Sequence, residues 1–389
     1  MDKVRLGSVM TLHRGYDLPN AQRKPGNVPV ISSSGISGSH SIAKLDGENV
    51  ITGRYGTIGE VFYHSGPCWP LNTTLFVEDF HGNDPKYVAY LLEVMLNALQ
   101  IDGTDKSTVP GVDRNVLHDL VVPYISDLAS QKTTTRVLSA IDAKIANNKK
   151  LMAELEETAR LIYDYWFTQF DFPDENGRPY RSSDGKMVWS DELKHDIPEG
   201  WGIGTLGDYL HLEKDTITPV ASQTYEHYSI PAYDDGKHPT FDDGGSIESG
   251  KYRVSKGCIL YSKLNPKFKR LWRPYCFTEN AICSTEFLVM KPNRMMAQGY
   301  CLGILHSGAY YSHMVSRAIS STGSRSRVDP EVAIGFKVPC PDERLIERYG
   351  NVVMPLYDLI QRLEVESHEL AGLRDWLLPM LMSGQLVVD

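Results

Sequence analysis

Apolar side chains recur three or four residues apart over two stretches of this chain, and alternate over short runs through much of the rest. The first stretch, residues 128–167, carries Leu138, Ile141, Ile145, Met152, Leu155, Ile162 and Trp166 as one stripe with a polar gap at Asn148. The second, residues 355–384, places Leu356, Leu359, Ile360, Leu363, Leu370, Leu373 and Leu377 in the same way. Such spacing puts the apolar residues on one face of an α-helix. Both stripes outrun the three turns of an ordinary globular helix, so they predict a coiled-coil pair rather than two helices packed each on its own domain. Pro355 and Pro379 interrupt the second stripe, and Pro355 either opens that helix at its first position or kinks it.

The alternating runs come in two sets. VRLGSVMTL (4–12) returns as IGTLGDYLHL (203–212), and ENVITGRYGTIGEVFYHSGPCWPLNTTLFV (48–77) has its counterpart in residues 256–290. GTDKSTVPGVDRNVLHDLVVP (103–123) resembles STGSRSRVDPEVAIGFKVP (321–339), and a helical stripe follows each set. The chain is thus an internal repeat of α+β class. Its expected parts are a β-rich domain over 1–127, a long helix over 128–170, a connector with a second β-rich domain over 171–340, and a second long helix over 341–389. If the second helix pairs with the first it must return antiparallel, which puts the domains at opposite ends of a rod with a pseudo-twofold axis across it. Residues 171–201, rich in Pro, Gly, Ser and acids, predict an irregular connector.

Composition narrows the chemistry. A formal charge of −9 and a pI near 5.8 oppose a uniformly basic nucleic-acid binder, yet the charge is unevenly spread. Residues 211–250 hold two bases against eight acids, whereas 251–278 hold Lys251, Arg253, Lys256, Lys263, Lys267, Lys269, Arg270 and Arg273 and no acid. No apolar run is long enough to span a bilayer, and MDKVRLGSVMTLHRGYDLP lacks the core of a signal peptide, so a cytoplasmic chain is expected. Cys68, Cys258, Cys276, Cys283, Cys301 and Cys340 form no CxxC pair, and the histidines show no HxxxH or HExxH spacing. Buried thiols are expected and no metal site. GIGTLG (202–207) matches G-x-G-x-x-G, but it follows the turn DIPEGW rather than a buried strand. No Asn/Asp-Pro-Pro-aromatic motif and no strand-borne carboxylate pair with a following lysine appears, and a chain without catalysis of its own is expected.

Cations interleaved with aromatics suit a phosphate backbone, with rings against sugars or bases. In SKLNPKFKRLWRPY (262–275) the candidates are Lys263, Lys267, Lys269, Arg270 and Arg273, with the two arginines also able to pair with guanine. The alternative is a solvated strand face with its aromatics in the core. TGRYGTIG (52–59) offers a Gly-rich loop with Arg54, Tyr55 and Thr57, or else a plain hairpin turn. Lys106 and Ser107 in DKST, with Ser324, Arg325 and Arg327 in GSRSR, are the remaining polar tips. SSSGISGSH (32–40) is a flexible candidate that could order on DNA.

GRYGTIGEV (53–61), PLNTTLFV (70–77), FDFPDENGRPYRSSDGKMVW (170–189) with IPEGW and LGD after it, and LRDWLLPMLMSGQL (373–386) occur here in one order. By these phrases and by the alternation of domain and helix, the chain resembles the specificity subunits of type I restriction-modification enzymes over essentially its whole length. The resemblance implies two target-recognition domains, each reading one half of a bipartite, asymmetric site in double-stranded DNA. It implies helices that set the spacer and hold two modification subunits, and so partner contacts through the two stripes. Those subunits methylate adenine at N6 with S-adenosylmethionine, and a motor-nuclease subunit using ATP and Mg can join them; this chain would hold no cofactor. Two alternatives stay open: the separate specificity chain of a fused restriction-methylation enzyme, and a coiled-coil scaffold that binds protein.

Overall fold

Alternation becomes paired strands, and the two stripes become two long helices. The computed structural model describes all residues except 1, 56–58, 103–112, 323–324 and 388–389. It divides into two units, Met1–Ile145 with Glu369–Asp389, and Ala146–His368, so each unit contains a segment of both long helices.

In the first unit β1 (Asp2–Arg5) pairs antiparallel with β9 (Val121–Tyr124), and a 3-10 turn at Leu6–Ser8 leads into β2 (Thr11–Arg14). A four-stranded sheet has the order β2-β8-β5-β6, where β5 is Glu48–Gly53, β6 is Val61–Ser65 and β8 is Thr74–Asp79. A smaller sheet joins β3 (Val28–Ser32) to β4 (Gly35–His40) and, in parallel, to β7 (Trp69–Pro70). Residues 32–40, expected to be flexible, thus form a hairpin, with Arg23 Nη1 donating to the Ser37 carbonyl at 2.9 Å. Two helices complete the unit, α1 (Pro85–Asp102) and α2 (Arg114–Asp119), the second capped by the Asp113 carboxylate. Its core gathers Leu6, Met10, Tyr87, Leu91, Leu117 and Val122 with Leu138 of α3 (Leu128–Tyr163) and Leu378, Leu381 and Met382 of α8 (Glu343–Met382).

The second unit repeats this order. A hairpin of β10 (Met187–Ser190) and β11 (His195–Pro198) precedes β12 (Gly202–Thr205), which pairs with β24 (Lys337–Cys340) as β1 does with β9. The four-stranded sheet is β13-β21-β18-β19, from β13 (Leu210–Glu213), β18 (Ile259–Ser262), β19 (Leu271–Trp272) and β21 (Phe287–Pro292). The companion sheet grows to five strands, β14-β17-β20-β15-β16, from β14 (Thr216–Ile217), β15 (Thr224–Tyr228), β16 (Thr240–Asp243), β17 (Lys251–Arg253) and β20 (Ala281–Ser284). A short α4 (Ile230–Asp234) is added, and where the first unit has α1 the second has α5 (Gln298–His306) and α6 (Gly308–Ser316), separated at Ser307. The hairpin of β22 (Ile319–Thr322) and β23 (Arg325–Arg327) leads to α7 (Pro330–Ile334), capped by Asp329 as α2 is by Asp113. The repeat seen in the sequence holds in the topology, and the fold is α+β.

The connector is irregular up to β10, as expected, yet packed: Phe172 stacks on Tyr180 and Trp201 at 4.7 and 5.2 Å, and Phe170 and Phe172 belong to the core of the second unit. α8 starts at Glu343 and passes through Pro355, whose ring is on the exposed side of the helix. A proline there forfeits one backbone hydrogen bond but need not end a helix that packing holds on its other face.

Within the second unit the helix segments run antiparallel. Tyr163 and Trp166 approach Tyr349, and Asn148, fully buried, donates from Nδ2 to Glu366 Oε2 at 2.8 Å and Ser367 Oγ at 3.2 Å. The polar gap in the first stripe is therefore the place where the register is specified by hydrogen bonds. In the first unit Arg374 of α8 reaches both oxygens of Glu93 at 2.7 Å and lies 2.7 Å from Asp142 of α3. Earlier on α8, in the second unit, Glu364 lies 3.6 Å from Lys237, which also pairs with Glu156. Burial is the main influence on Glu364, Lys237 opposes it, and Glu156 adds to it; the carboxyl is pushed up to about 7. A carboxyl that holds its proton more tightly folded than unfolded contributes stability in full below pH 4.5, and loses it as pH rises through about 7. In urea titrations Glu364→Gln should flatten a decline on the order of 3 kcal/mol across that window. Identical slopes for parent and variant would contradict it.

Candidate nucleic-acid interface

The hairpin from β18 to β19 carries residues 263–270 at its tip, where a second hairpin, β22–β23, meets it. Asn265 makes the junction: its N–H donates to the Ser326 carbonyl at 2.8 Å, and its Oδ1 accepts from the Ser326 N–H at 2.9 Å. It adopts φ +47°, a left-handed conformation that asparagine tolerates better than most residues. Leu264 bridges to Arg327, and the Val328 N–H donates to the Lys263 carbonyl at 3.1 Å. Glu286, at the turn into β21, accepts from Arg327 Nε and Nη2 at 2.6–3.1 Å, which holds its carboxyl below the usual range.

Two sequence segments more than fifty residues apart thus form one tip. Its outer surface carries Lys267, Phe268 and Arg325, exposed, with Lys263 half-buried beside them. Phe268 is 53% exposed, with Lys267 Nζ 5.0 Å and the Arg270 guanidinium 5.3 Å from its ring centre. A ring held in water between two cations offers an apolar contact where phosphates would be neutralised. Neither the Asn265 junction nor the exposure of Phe268 could be read from spacing.

Several sequence candidates are drawn inward instead. Lys269 Nζ donates to the His306 carbonyl at 2.7 Å, and burial lowers its pKa. Arg270 is bidentate on Asp234, both bonds 2.7 Å, with little of its side chain exposed. Arg273 lies 2.6 Å from Asp358 of α8, and its carbonyl accepts from Gln361. Lys251 is buried on Ser249, and Arg253 faces Asp215. The acid-free stretch is therefore not one cationic face, because acids distant in sequence are folded onto much of it. Arg327 is likewise committed to Glu286.

In the first unit the Arg54 guanidinium lies 4.6 Å from the ring centre of exposed Tyr55, and both residues' N–H groups donate to the Thr73 carbonyl. Gly59 adopts φ +102°, as a Gly-rich turn requires. Thr57, Lys106, Ser107 and Ser324 lie outside the described residues.

On the helices many of the stripe residues are spent inside the chain. Ile360 and Leu363 are buried, while Met152, Leu155, Ile162 and Leu356 pack on the same core. Leu377 packs on the first unit's core, and Ile141, Ile145 and Leu370 are half-buried. Leu373 is exposed, and so are Leu161, Tyr165, Val352 and Trp376, off the seam. GIGTLG sits on β12 and the 3-10 turn that follows, where a Cβ on Gly204 would lie 2.5 Å from Asp208 Oδ2 and 2.8 Å from Cys340 Sγ. That glycine is explained by packing. All six cysteines are free thiols, five of them buried, and among the described residues no cluster of His, Cys, Asp and Glu could hold a metal ion. No helix among them is long and apolar enough to cross a membrane.

Two β-rich repeats, each followed by a long helix and each with a polar hairpin tip, invite comparison with known proteins. Residues 1–157 match the family described as the type I restriction modification DNA specificity domain. The type I restriction enzyme MjaIX specificity subunit of Methanocaldococcus jannaschii is 26% identical over 322 residues, 78% of this chain and 69% of its own length. The crystal structure of a type I restriction-modification system S subunit from M. genitalium is 17% identical, with a TM-score of 0.60 over 98% of this chain and 96% of that one. At that identity the likeness is one of fold, and it covers both repeats. The resemblance first read from short phrases thus holds in family, relative and fold.

Because Arg270 and Arg273 are internal ties, replacing either by Ala should cost the chain about 1 kcal/mol in urea unfolding, the exposure of their acidic partners keeping the figure low. Unchanged stability together with weakened DNA binding would return both arginines to the interface.

Proposed function

We propose that this chain is the DNA sequence-recognition subunit of a type I restriction-modification complex. Each repeat reads one half of a bipartite, asymmetric target in double-stranded DNA. The composite tip of the second unit carries this reading: Lys263, Lys267 and Arg325 supply charge for phosphates around the cation-flanked ring of Phe268. Arg54 and Tyr55 hold the corresponding place in the first unit, with Thr57, Lys106, Ser107 and Ser324 as further candidates.

The chain performs no bond-making step in this reading. Two modification subunits dock on the long helices, through apolar residues left outside the intrachain seam, Leu161, Val352, Leu373 and Trp376. Methylation of adenine with S-adenosylmethionine takes place in those subunits. ATP and Mg belong to a motor-nuclease subunit where one is present, and the complex works in the cytoplasm. α3 and α8, 36 and 40 residues long, each span about 54–60 Å at about 1.5 Å per residue. Their length sets the spacer between half-sites.

Sequencing methylated adenines in the host genome tests the function directly: a two-part motif should be present and should vanish when this gene is deleted. Lys263→Ala, Lys267→Ala and Arg325→Ala combined should leave assembly intact and lower the slope of log K against log salt by about 2–3. A slope equal to the parent's would remove the tip from the interface. Adding one helical turn, about four residues, to α3 after Asn148 and to α8 beside Ser367 should change the spacer and leave both half-sites unaltered. Altered half-sites at constant spacing would refute the spacer role.

A further inference from the structure

At the other end of the β18–β19 hairpin, residues 273–279 form a loop held from several directions. Glu226 of β15 is fully buried, and its carboxylate accepts from the Phe277 N–H at 3.0 Å, the Thr278 N–H at 2.7 Å and Thr278 Oγ1 at 3.2 Å. It also accepts from the Tyr228 hydroxyl at 2.5 Å, and that hydroxyl accepts from the Cys276 N–H at 3.0 Å. Cys276 adopts φ +57°, a left-handed conformation uncommon for a residue with a Cβ, and its thiol is turned into the core. The start of the loop is tied to α8 through Arg273, by Asp358 and Gln361.

All this anchoring holds two aromatic rings in solvent. Tyr275 and Phe277 are 45% and 38% exposed, with ring centres 4.5 Å apart and planes 25° from parallel. A strained residue and a sealed carboxylate are an unusual foundation for a surface turn, and backbone strain of this kind gathers where a contact must be preset. The carboxylates around the loop are mostly engaged. Glu226 is sealed beneath it, Asp358 is on Arg273 and Asp234 is on Arg270, while Glu213 and Asp215, which line a cavity with Cys276, Thr278 and Glu279, face Ser255 and Arg253; exposed Lys256 lines the same cavity. Glu279, at the far end, is the exposed carboxylate of the loop.

We propose that Tyr275 and Phe277 form a rigid aromatic wedge that packs against the bases or sugars of one half-site in double-stranded DNA. Glu226 is its positioning residue. The inference rests on the DNA-recognition reading above and adds to it a second contact element, at the opposite end of the hairpin from the charged tip. A preset wedge enters a base stack without ordering itself first, and apolar side chains inserted at base steps discriminate by how readily a step unstacks.

The test uses the full chain assembled with its modification subunits and a pool of randomised DNA duplexes, from which bound sequences are selected and read. The parent should enrich a two-part motif. Tyr275→Ala with Phe277→Ala removes two rings outside the core, at the expense of the Phe277 contacts with His238 and Phe241; it should assemble as the parent does, enrich one half unchanged, relax the other, and bind the parent's selected duplex at least tenfold more weakly. Glu226→Gln keeps both rings but puts an amide donor against one of the two backbone donors, Phe277 N–H or Thr278 N–H, and should relax the same half while sparing the other. A double variant that enriches both halves as the parent does would overturn the wedge alone, with DNA recognition intact. Loss of the modification subunits in the double variant would make the loop a protein-docking surface and overturn it too. Relaxation in the double variant but not in Glu226→Gln would remove the positioning role. A parent that selects no motif would overturn the DNA-recognition reading and the wedge with it.

Discussion

The buried amide of Asn148 against Glu366 and Ser367 fixes how α3 and α8 are paired within the second unit, and much else depends on that register. Stripes of Leu, Ile and Met can pack in neighbouring registers at similar cost, because their side chains are alike in size and carry no directional bonds. A buried polar residue breaks that degeneracy at some expense, since Asn148 Oδ1 itself finds no hydrogen-bond partner among the described residues. With the register set, Asp358 and Gln361 arrive at Arg273, and Glu364 arrives at Lys237. A slip of one turn, about 5.4 Å, would carry all three away from the loops they hold. The helix pair therefore aligns the recognition unit as well as carrying it.

The acidic balance of the chain follows from the same construction. Basic residues between 251 and 278 face a sheet, a helix and loops that supply carboxylates and carbonyls, so several of them tie elements together rather than meet solvent. What is left outward is a small set of charges around Phe268, together with Lys256. A surface of that kind binds a polyanion weakly by itself.

Much of this fold was legible in advance because repetition and periodicity are properties of sequence. Pairing VRLGSVMTL with IGTLGDYLHL, and residues 48–77 with 256–290, gave two sheets with the same strand order, and the stripes gave both long helices. The boundaries of α8 were less visible, because the pattern around Pro355 looks like a start when only local propensity is considered. The packing of the connector was hidden for a related reason: Phe170, Phe172 and Trp201 pack ring against ring, which has no period. The site was harder still. Arg270 and Lys267 lie three apart in one run, yet one is sealed on Asp234 and the other is free, a difference decided by residues distant in the chain. Glu226 looked like one acid among eight, and its burial beneath residues 277 and 278 depends on a parallel pairing of β15 with β20.

The last turns of α8 place Leu378, Leu381 and Met382 in the same core as Leu6, Met10 and Leu138. During synthesis the first unit therefore emerges with its hydrophobic centre unfilled. Leu378 follows Leu138 by roughly 240 residues, so at about 5–20 residues per second the wait is on the order of 10–50 s. Throughout that interval the apolar surface meant for the chain's end is open, while the second unit, which draws its core from Ala146–His368, can already close. The usual order of folding along a nascent chain is reversed: the domain made first is finished last. A subunit built this way has reason to meet chaperones or its own partners before release, and a ribosome stalled in the last turns of α8 would leave the first unit, and not the second, as the exposed and aggregation-prone part.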